Sequence, residues 1–238
     1  MDLNYMRIMR KAPLFQNLND DEYESLIKCL SPRVKHYAKN EILLLTEDSV
    51  HHVGIVLAGT ANAYLDHVSG SQTLISSLPT LSVFGEVLVS TRANRSPVTI
   101  SAESDVTSAF IEYRKIYSMC EVACSVHRIF LQNVLTIIGD KYFQLFDRLA
   151  VLREKSLRSK IMAYLYTLSS NGKFYTVELP FSKTILADYL LVNRCALSKE
   201  LNKMESDGLI IVRGRAIALL FLNRRTALNL EGSVQLGF

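Results

Sequence analysis

Two groups of residues in this 238-residue chain combine side chains that do chemistry. The first is Val83-Phe84-Gly85-Glu86, followed nine positions later by Arg95-Ser96. Arginine offers a rigid fork of donors to an oxyanion, serine adds a hydroxyl, and a carboxylate accepts strongly from ligand hydroxyls. Such a set suits a small ligand with an anionic end. The second group is Arg194-Cys195-Ala196-Leu197-Ser198-Lys199, with Arg213-Gly214-Arg215 further on. Cationic and hydroxyl side chains at the start of a helix can meet base edges in a major groove, and Arg donates bidentately to guanine. Basic residues in a following hairpin can reach phosphate.

Other chemistries lack their residues. No paired carboxylates, metal triad, nucleophile motif or phosphate loop stands out, so no enzyme is expected. The cysteines are Cys29, Cys120, Cys124 and Cys195; none forms a Cys-x-x-Cys pair or a zinc-finger spacing with histidine. Cys120 and Cys124 would share a face if their segment were helical, but two thiols make a poor metal site. His36, His51, His52, His67 and His127 show no ligand spacing. No apolar run approaches the roughly 18 residues that span a bilayer. The N-terminus is unlike a signal peptide, so a cytoplasmic protein is expected.

Charge is divided unevenly. Residues 1–149 hold 14 Lys and Arg against 16 Asp and Glu, whereas residues 150–238 hold 13 against 7. A basic end on a slightly acidic body is the layout of a protein with a nucleic-acid-binding end.

The elements that must position these groups follow from periodicity. Residues 14–30 read as a short helical region, in which Leu18–Ile27 opens with a cap candidate and acidic residues in its first turn. From Arg33 to Glu112, short segments rich in Val, Ile, Thr and Tyr alternate with turns, giving strands at 34–38, 41–46, 53–57, 61–66, 73–78, 98–102 and 106–111. That pattern predicts an antiparallel barrel or jelly roll. Phe130, Val134, Ile138, Tyr142, Leu145, Leu149 and Leu152 then step by three and four along a single helix. Its stripe can pack on the barrel or pair with a second copy; pairing is favoured, with Phe130, Val134, Ile138, Leu145 and Leu149 as the interface. The last part reads helix (156–168), strand (174–179), helix (182–190), helix (193–206) and two strands (209–213, 216–222). Ser156, Ser182 and Asn193 are the N-caps, and Gly208 is the closing glycine. The expected domains are 1–122, 123–152 and 153–238. The tail 223–238 carries no signal.

Within that order, residues 186–201 have the residue sequence of a helix-turn-helix. Ala187 allows close approach, Leu190, Val192, Leu197 and Leu201 supply the core, and Asn193 caps the second helix. The expected DNA-facing set is Ser182, Arg194, Cys195, Ser198, Lys199, Arg213 and Arg215.

Here the chain resembles the Crp/Fnr family of regulators from about Leu14 to Leu222. The resemblance rests on Pro180–Leu190, Arg194–Leu201 and Glu205–Ile210, and on Gly85-Glu86 with Arg95-Ser96. It implies an α+β protein: a cyclic-nucleotide-binding-like β-roll, a long dimerisation helix and a C-terminal winged helix. In cyclic-AMP-binding members the matching glycine and glutamate contact ribose, and the arginine and serine hold the cyclic phosphate. Gly85, Glu86, Arg95 and Ser96 are therefore the candidate effector residues. Three departures argue against cyclic AMP itself. The segment between Glu86 and Arg95 is one residue shorter, Pro97 removes a backbone donor, and Leu145 and Phe146 stand where adenine-holding hydroxyls are expected. The four-cysteine iron–sulfur cluster of the oxygen-sensing branch is not expected, since Cys29 alone lies near the N-terminal end. Haem, which other members bind, is not favoured. Leu191 replaces the usual turn glycine.

The resulting expectation is a homodimeric transcription regulator on near-palindromic duplex DNA, with RNA polymerase as a further partner. Its roll either senses a small molecule, of open identity, or has lost that role. The alternative is a nucleotide-binding sensory module acting mainly through protein partners.

Overall fold

The structure, a computed structural model, describes residues 3–89, 92, 94–117, 125–170, 175–179 and 182–220. It divides into two compact units, Met1–Phe143 and Gln144–Phe238. Cys120 and Cys124, and the tail 223–238, lie outside the described residues.

The first unit opens with α1 (Leu3–Met9), a 3-10 turn at Pro13–Phe15 and α2 (Asp20–Leu30). A reciprocal capping box starts α2: the Asn19 side chain accepts from the Glu22 amide, and the Glu22 carboxylate accepts from the Asn19 amide. Eight strands follow: β1 (Arg33–Tyr37), β2 (Ile42–Leu44), β3 (His52–Ala58), β4 (Ala61–Asp66), β5 (Gln72–Leu78), β6 (Val83–Phe84), β7 (Thr99–Ala102) and β8 (Val106–Glu112). They form two antiparallel four-stranded sheets, ordered β1-β8-β3-β6 and β2-β7-β4-β5. This is the expected β-roll, with strand ends shifted by one or two residues.

Alternation along β3 and β8 serves two cores. Val56 and Val106 face inward between the sheets, with Ile100 and Phe84. Val53, Ile55, Ala109 and Ile111 face the helices instead, meeting Leu14, Phe15, Leu26 and Phe130. Gly54 lacks a side chain because a Cβ there would stand 2.1 Å from the Phe84 ring. Among the described residues, α1, β6, α3 (Glu86–Val89) and α4 (Tyr113–Tyr117) were not expected from the sequence.

The long helix α5 runs Ser125–Arg153. Its stripe behaves differently along its length, which corrects the expected dimer interface. Phe130 and Val134 are buried in their own unit's core, where Phe130 lies 5.6 Å from Phe15, centroid to centroid. They are unavailable to a second copy. Ile138 is half-buried against the same core. Leu145 and Leu149 are exposed, as are Leu135, Tyr142, Phe143 and Phe146.

The second unit contains α6 (Leu157–Leu168), β9 (Thr176–Glu178), α7 (Lys183–Tyr189), α8 (Arg194–Ser206), β10 (Ile210–Arg213) and β11 (Ala216–Leu219), with sheet order β10-β11-β9. Each expected cap is made. Ser156 accepts from the Ser159 amide at 3.0 Å, Ser182 from Ile185 at 3.4 Å and Asn193 from Cys195 at 2.8 Å. Gly208 follows the end of α8 at φ +66°, the left-handed conformation that a closing glycine provides. Tyr164, Leu165, Leu186, Leu197, Leu201 and Ile217 fill one core. Phe174, Pro180, Phe181 and residues 221–222 of the expected strands and helices lie outside the described residues. The whole is an α+β architecture of roll, long helix and winged helix-turn-helix.

Candidate functional site

The helix-turn-helix is α7, a tight turn and α8. Ala187 and Leu190 are fully buried, so the two helices approach closely, and Leu197 and Leu201 complete their contact. The Val192 amide donates to the Ala187 carbonyl at 2.9 Å, closing the turn. Leu191 sits at φ +55° and is exposed. A side chain therefore occupies a left-handed position that glycine takes with less strain.

Asn193 leaves α8 with its first turn bare. Arg194, Cys195 and Lys199 are exposed and Ser198 is half-buried on the same end. Amide groups at a helix start carry partial positive charge, which reinforces the pull on a phosphate. Behind that end, Glu200 of α8 and Asp207, its C-cap, share one cation. Arg158 of α6 donates to Glu200 at 2.6 Å and pairs with Asp207 at 2.7 Å. Those hydrogen bonds hold the Arg158 guanidinium above its ordinary range.

The wing is the β10–β11 hairpin, in register Arg213 with Ala216, turning at Gly214 with φ +62°. Arg213 is exposed. Arg215 is engaged within the unit. Its Nε and one Nη donate to the Leu179 carbonyl at 3.1 and 2.9 Å, and its own carbonyl accepts from the Leu179 amide. The expected DNA contact is thus first a strut pinning the wing to the strand beside it.

Sequence reasoning missed Arg148. It is buried with its guanidinium 4.5 Å from the Tyr189 ring centroid, and it donates to the Tyr189 carbonyl at 3.3 Å. Tyr164 lies 5.2 Å from the same ring. Burial lowers the Arg148 pKa and, for the same reason, raises those of Tyr189 and Tyr164. The available signal was an arginine next to the apolar stripe of α5, with tyrosines on the helices that follow.

The expected effector residues do not converge. Gly85 adopts φ +84°, and a Cβ there would stand 2.7 Å from the His52 carbonyl oxygen. Glu86 is only 1% exposed, and Lys141 of α5 reaches it at 2.7 Å while also donating to the Val83 carbonyl at 2.6 Å. Arg95 turns outward, 62% exposed, and pairs with Glu47 at 3.3 Å. Ser96 is buried, with its hydroxyl donating to the Val98 carbonyl at 2.6 Å. Among the described residues, Glu86 pairs with Lys141 and Arg95 with Glu47 rather than with each other. Cys29 Sγ stands 3.8 Å from His127 Nε2. Among the described residues no three His, Cys, Asp or Glu side chains gather, and no helix is long and apolar enough to cross a membrane.

Roll, long helix and an exposed helix-turn-helix with a wing together define a DNA-binding transcription regulator. Comparison with known proteins agrees. Residues 34–122 match the family described as "Cyclic nucleotide-binding domain", and residues 159–228 match "Crp-like helix-turn-helix domain". A relative from Lacticaseibacillus casei, "Probable transcriptional regulator flp", is 25% identical over 88% of this chain and 92% of its own. Among solved structures, a CooA mutant from Carboxydothermus hydrogenoformans superposes with TM-score 0.71 at 21% identity, covering 92% of this chain and 97% of that one. FixK2 from Bradyrhizobium japonicum gives 0.61 at 17%, covering 85% and 99%. The chain belongs to the Crp/Fnr family of sequence-specific DNA-binding transcription regulators.

Proposed function

We propose that this regulator binds near-palindromic duplex DNA as a homodimer and passes the state of its roll to RNA polymerase through that DNA. The observation carrying the proposal is the bare first turn of α8, where Arg194, Cys195, Ser198 and Lys199 share one end of a helix whose opposite side is core. In this reading Arg194 reads a base, Lys199 contacts base or phosphate, and Ser182 and Arg213 hold the backbone. Support for the dimer is the exposed apolar row of α5, including Leu145, Phe146 and Leu149. A two-fold regulator needs such a row between its half-sites. Phe130 and Val134 leave the interface, and residues further along the helix take their place.

DNA selected from a random pool by the full chain tests this. The expected product is an inverted repeat with half-sites about one helical turn, roughly 34–36 Å, apart. Arg194→Ala should relax preference at one position and cost about 1–3 kcal/mol. Lys199→Ala, if it meets phosphate, should weaken all sequences alike and flatten the salt slope by about one unit. A Leu145→Glu, Leu149→Glu variant should sediment as a monomer. Asymmetric single sites, or an unchanged dimer in that variant, would contradict the proposal.

A further inference from the structure

The chemistry expected of the Glu86–Arg95 segment is offered by a different part of the roll. A cavity of about 220 Å³ opens beside β1, β2 and the turn at 49–52, on the His52 side of Gly85. Arg33 and Lys35 line it from β1, His51 and His52 from the start of β3, and Tyr37 and Phe110 form its aromatic wall.

Register explains why the cations point there. Arg33 stands opposite Phe110, Lys35 opposite Ser108 and Tyr37 opposite Val106. Paired residues of antiparallel strands share a face, and side chains alternate along a strand. Val106 belongs to the core between the sheets, so Arg33 and Lys35 extend an inward-facing row to the mouth of the roll. Two positive charges two residues apart on that face repel each other. Among the described residues, neither has a carboxylate within ion-pair distance. Glu112, opposite His52, acts on that imidazole, and Glu41 acts on Tyr37. Burial, together with the charges of His51, Lys35 and Arg33, holds His52 below its ordinary pKa against the pull of Glu112. Arg33 and Lys35 add positive charge to this lining, and a bound anion would relieve their mutual repulsion.

The wall limits the rest of the ligand. Lys35 Nζ lies 5.6 Å from the Phe110 ring centroid, and Tyr37, His52 and Phe84 pack on the edges of that ring at 5.8–6.5 Å. A flat apolar group can lie against such a surface. The volume falls below the usual range for drug-sized ligands, about 300–1,000 Å³, and suits one ring with its anionic group.

The geometry points to this cleft as the binding site for a small aromatic oxyanion, a carboxylate or phosphate monoester, held by Arg33 and Lys35. It gives the sensing role of the roll a place, and rests on the regulator reading only for its effect on DNA. Calorimetry on the full chain, with phenyl phosphate, inorganic phosphate and cyclic AMP as probes, tests it. Phenyl phosphate should bind at least tenfold tighter than either of the others. Arg33→Ala with Lys35→Ala should weaken it at least tenfold, while Arg95→Ala leaves it unchanged. Both cations are exposed, so the variant should fold; circular dichroism checks this, and the Arg33→Gln, Lys35→Gln pair gives a second measurement. Absence of phenyl phosphate binding to millimolar concentration, equal affinity for inorganic phosphate, or binding that survives both double variants overturns the site. Gel shifts with selected DNA separate the two readings. Binding of phenyl phosphate without a change in DNA affinity keeps the site and removes the regulatory consequence, whereas DNA binding without probe binding removes the site alone.

Discussion

Removing the Lys141 ammonium should be far more damaging than removing the charge of its partner. Glu86 is 1% exposed and Lys141 touches both its carboxylate, at 2.7 Å, and the Val83 carbonyl, at 2.6 Å. In Lys141→Met the apolar stem is kept but the buried carboxylate loses this cation. Breaking a buried pair in this way costs about 3–5 kcal/mol. The Lys141 side chain is 35% exposed, so some water already reaches the pair, and a loss of about 3 kcal/mol is the expected value. Glu86→Gln is gentler. The amide keeps the shape, and the lysine can lean its ammonium toward solvent along its flexible stem, for a loss of about 1 kcal/mol.

The double variant separates this from simple packing. With both charges gone, no ion is stranded, and Lys141→Met with Glu86→Gln should be more stable than Lys141→Met alone. The coupling between the two sites should therefore exceed about 1 kcal/mol. Urea unfolding of the full chain and the three variants, at one pH and salt concentration, measures it. Equal losses for the two single variants that simply add in the double would refute the reasoning, because they would mean that Lys141 contributes only its methylenes.

Three other outcomes follow from the geometry. Leu191→Gly should raise stability by about 0.5–1 kcal/mol in thermal unfolding, since it relieves a left-handed φ of +55° on an exposed side chain at the expense of some unfolded-state entropy. Arg148→Ala should cost about 2 kcal/mol in urea unfolding, and Arg148→Lys should recover less than half, because the planar guanidinium is what lies on the Tyr189 ring; full recovery with lysine would show that only charge matters. Hydrogen bonds from Thr46, Thr99 and Gln72 hold Asp66 below its ordinary pKa of 3.8. Its contribution is therefore present above pH 3.8 and lost as the pH falls through the lower folded value, so the stability gap between wild type and Asp66→Asn should close in acid, and a gap independent of pH would contradict this.

The helices of the second unit were legible because their capping and packing signals are local, whereas Arg148 and Arg215 find their partners far along the chain. Ser156, Ser182 and Asn193 cap helices through contacts two or three positions away, and Gly208 ends α8 through its own φ. The small Ala187 and the apolar Leu190, Leu197 and Leu201 declare a close helix pair by type and spacing alone. The strands of the roll were legible for the same reason, apart from the two-residue β6, which is too short to carry a period.

The effector residues were misread because their partners lie far along the chain. Arg95 pairs with Glu47 and Glu86 with Lys141, 48 and 55 positions apart, and no local rule links them. Residue types at Gly85, Glu86, Arg95 and Ser96 state what each group can do, but their convergence depends on the loop between them.

The long helix shows the same limit in one element. Periodicity places Phe130, Val134, Ile138, Leu145 and Leu149 on one face, and an apolar face must be covered. It does not say by what. The first two residues are covered from within, since Leu14 and Phe15, over a hundred residues earlier, fold back onto them. The last two stay exposed among the described residues. Periodicity thus marks a face that needs covering in both halves of α5, while the residues that cover it are set by contacts far along the chain.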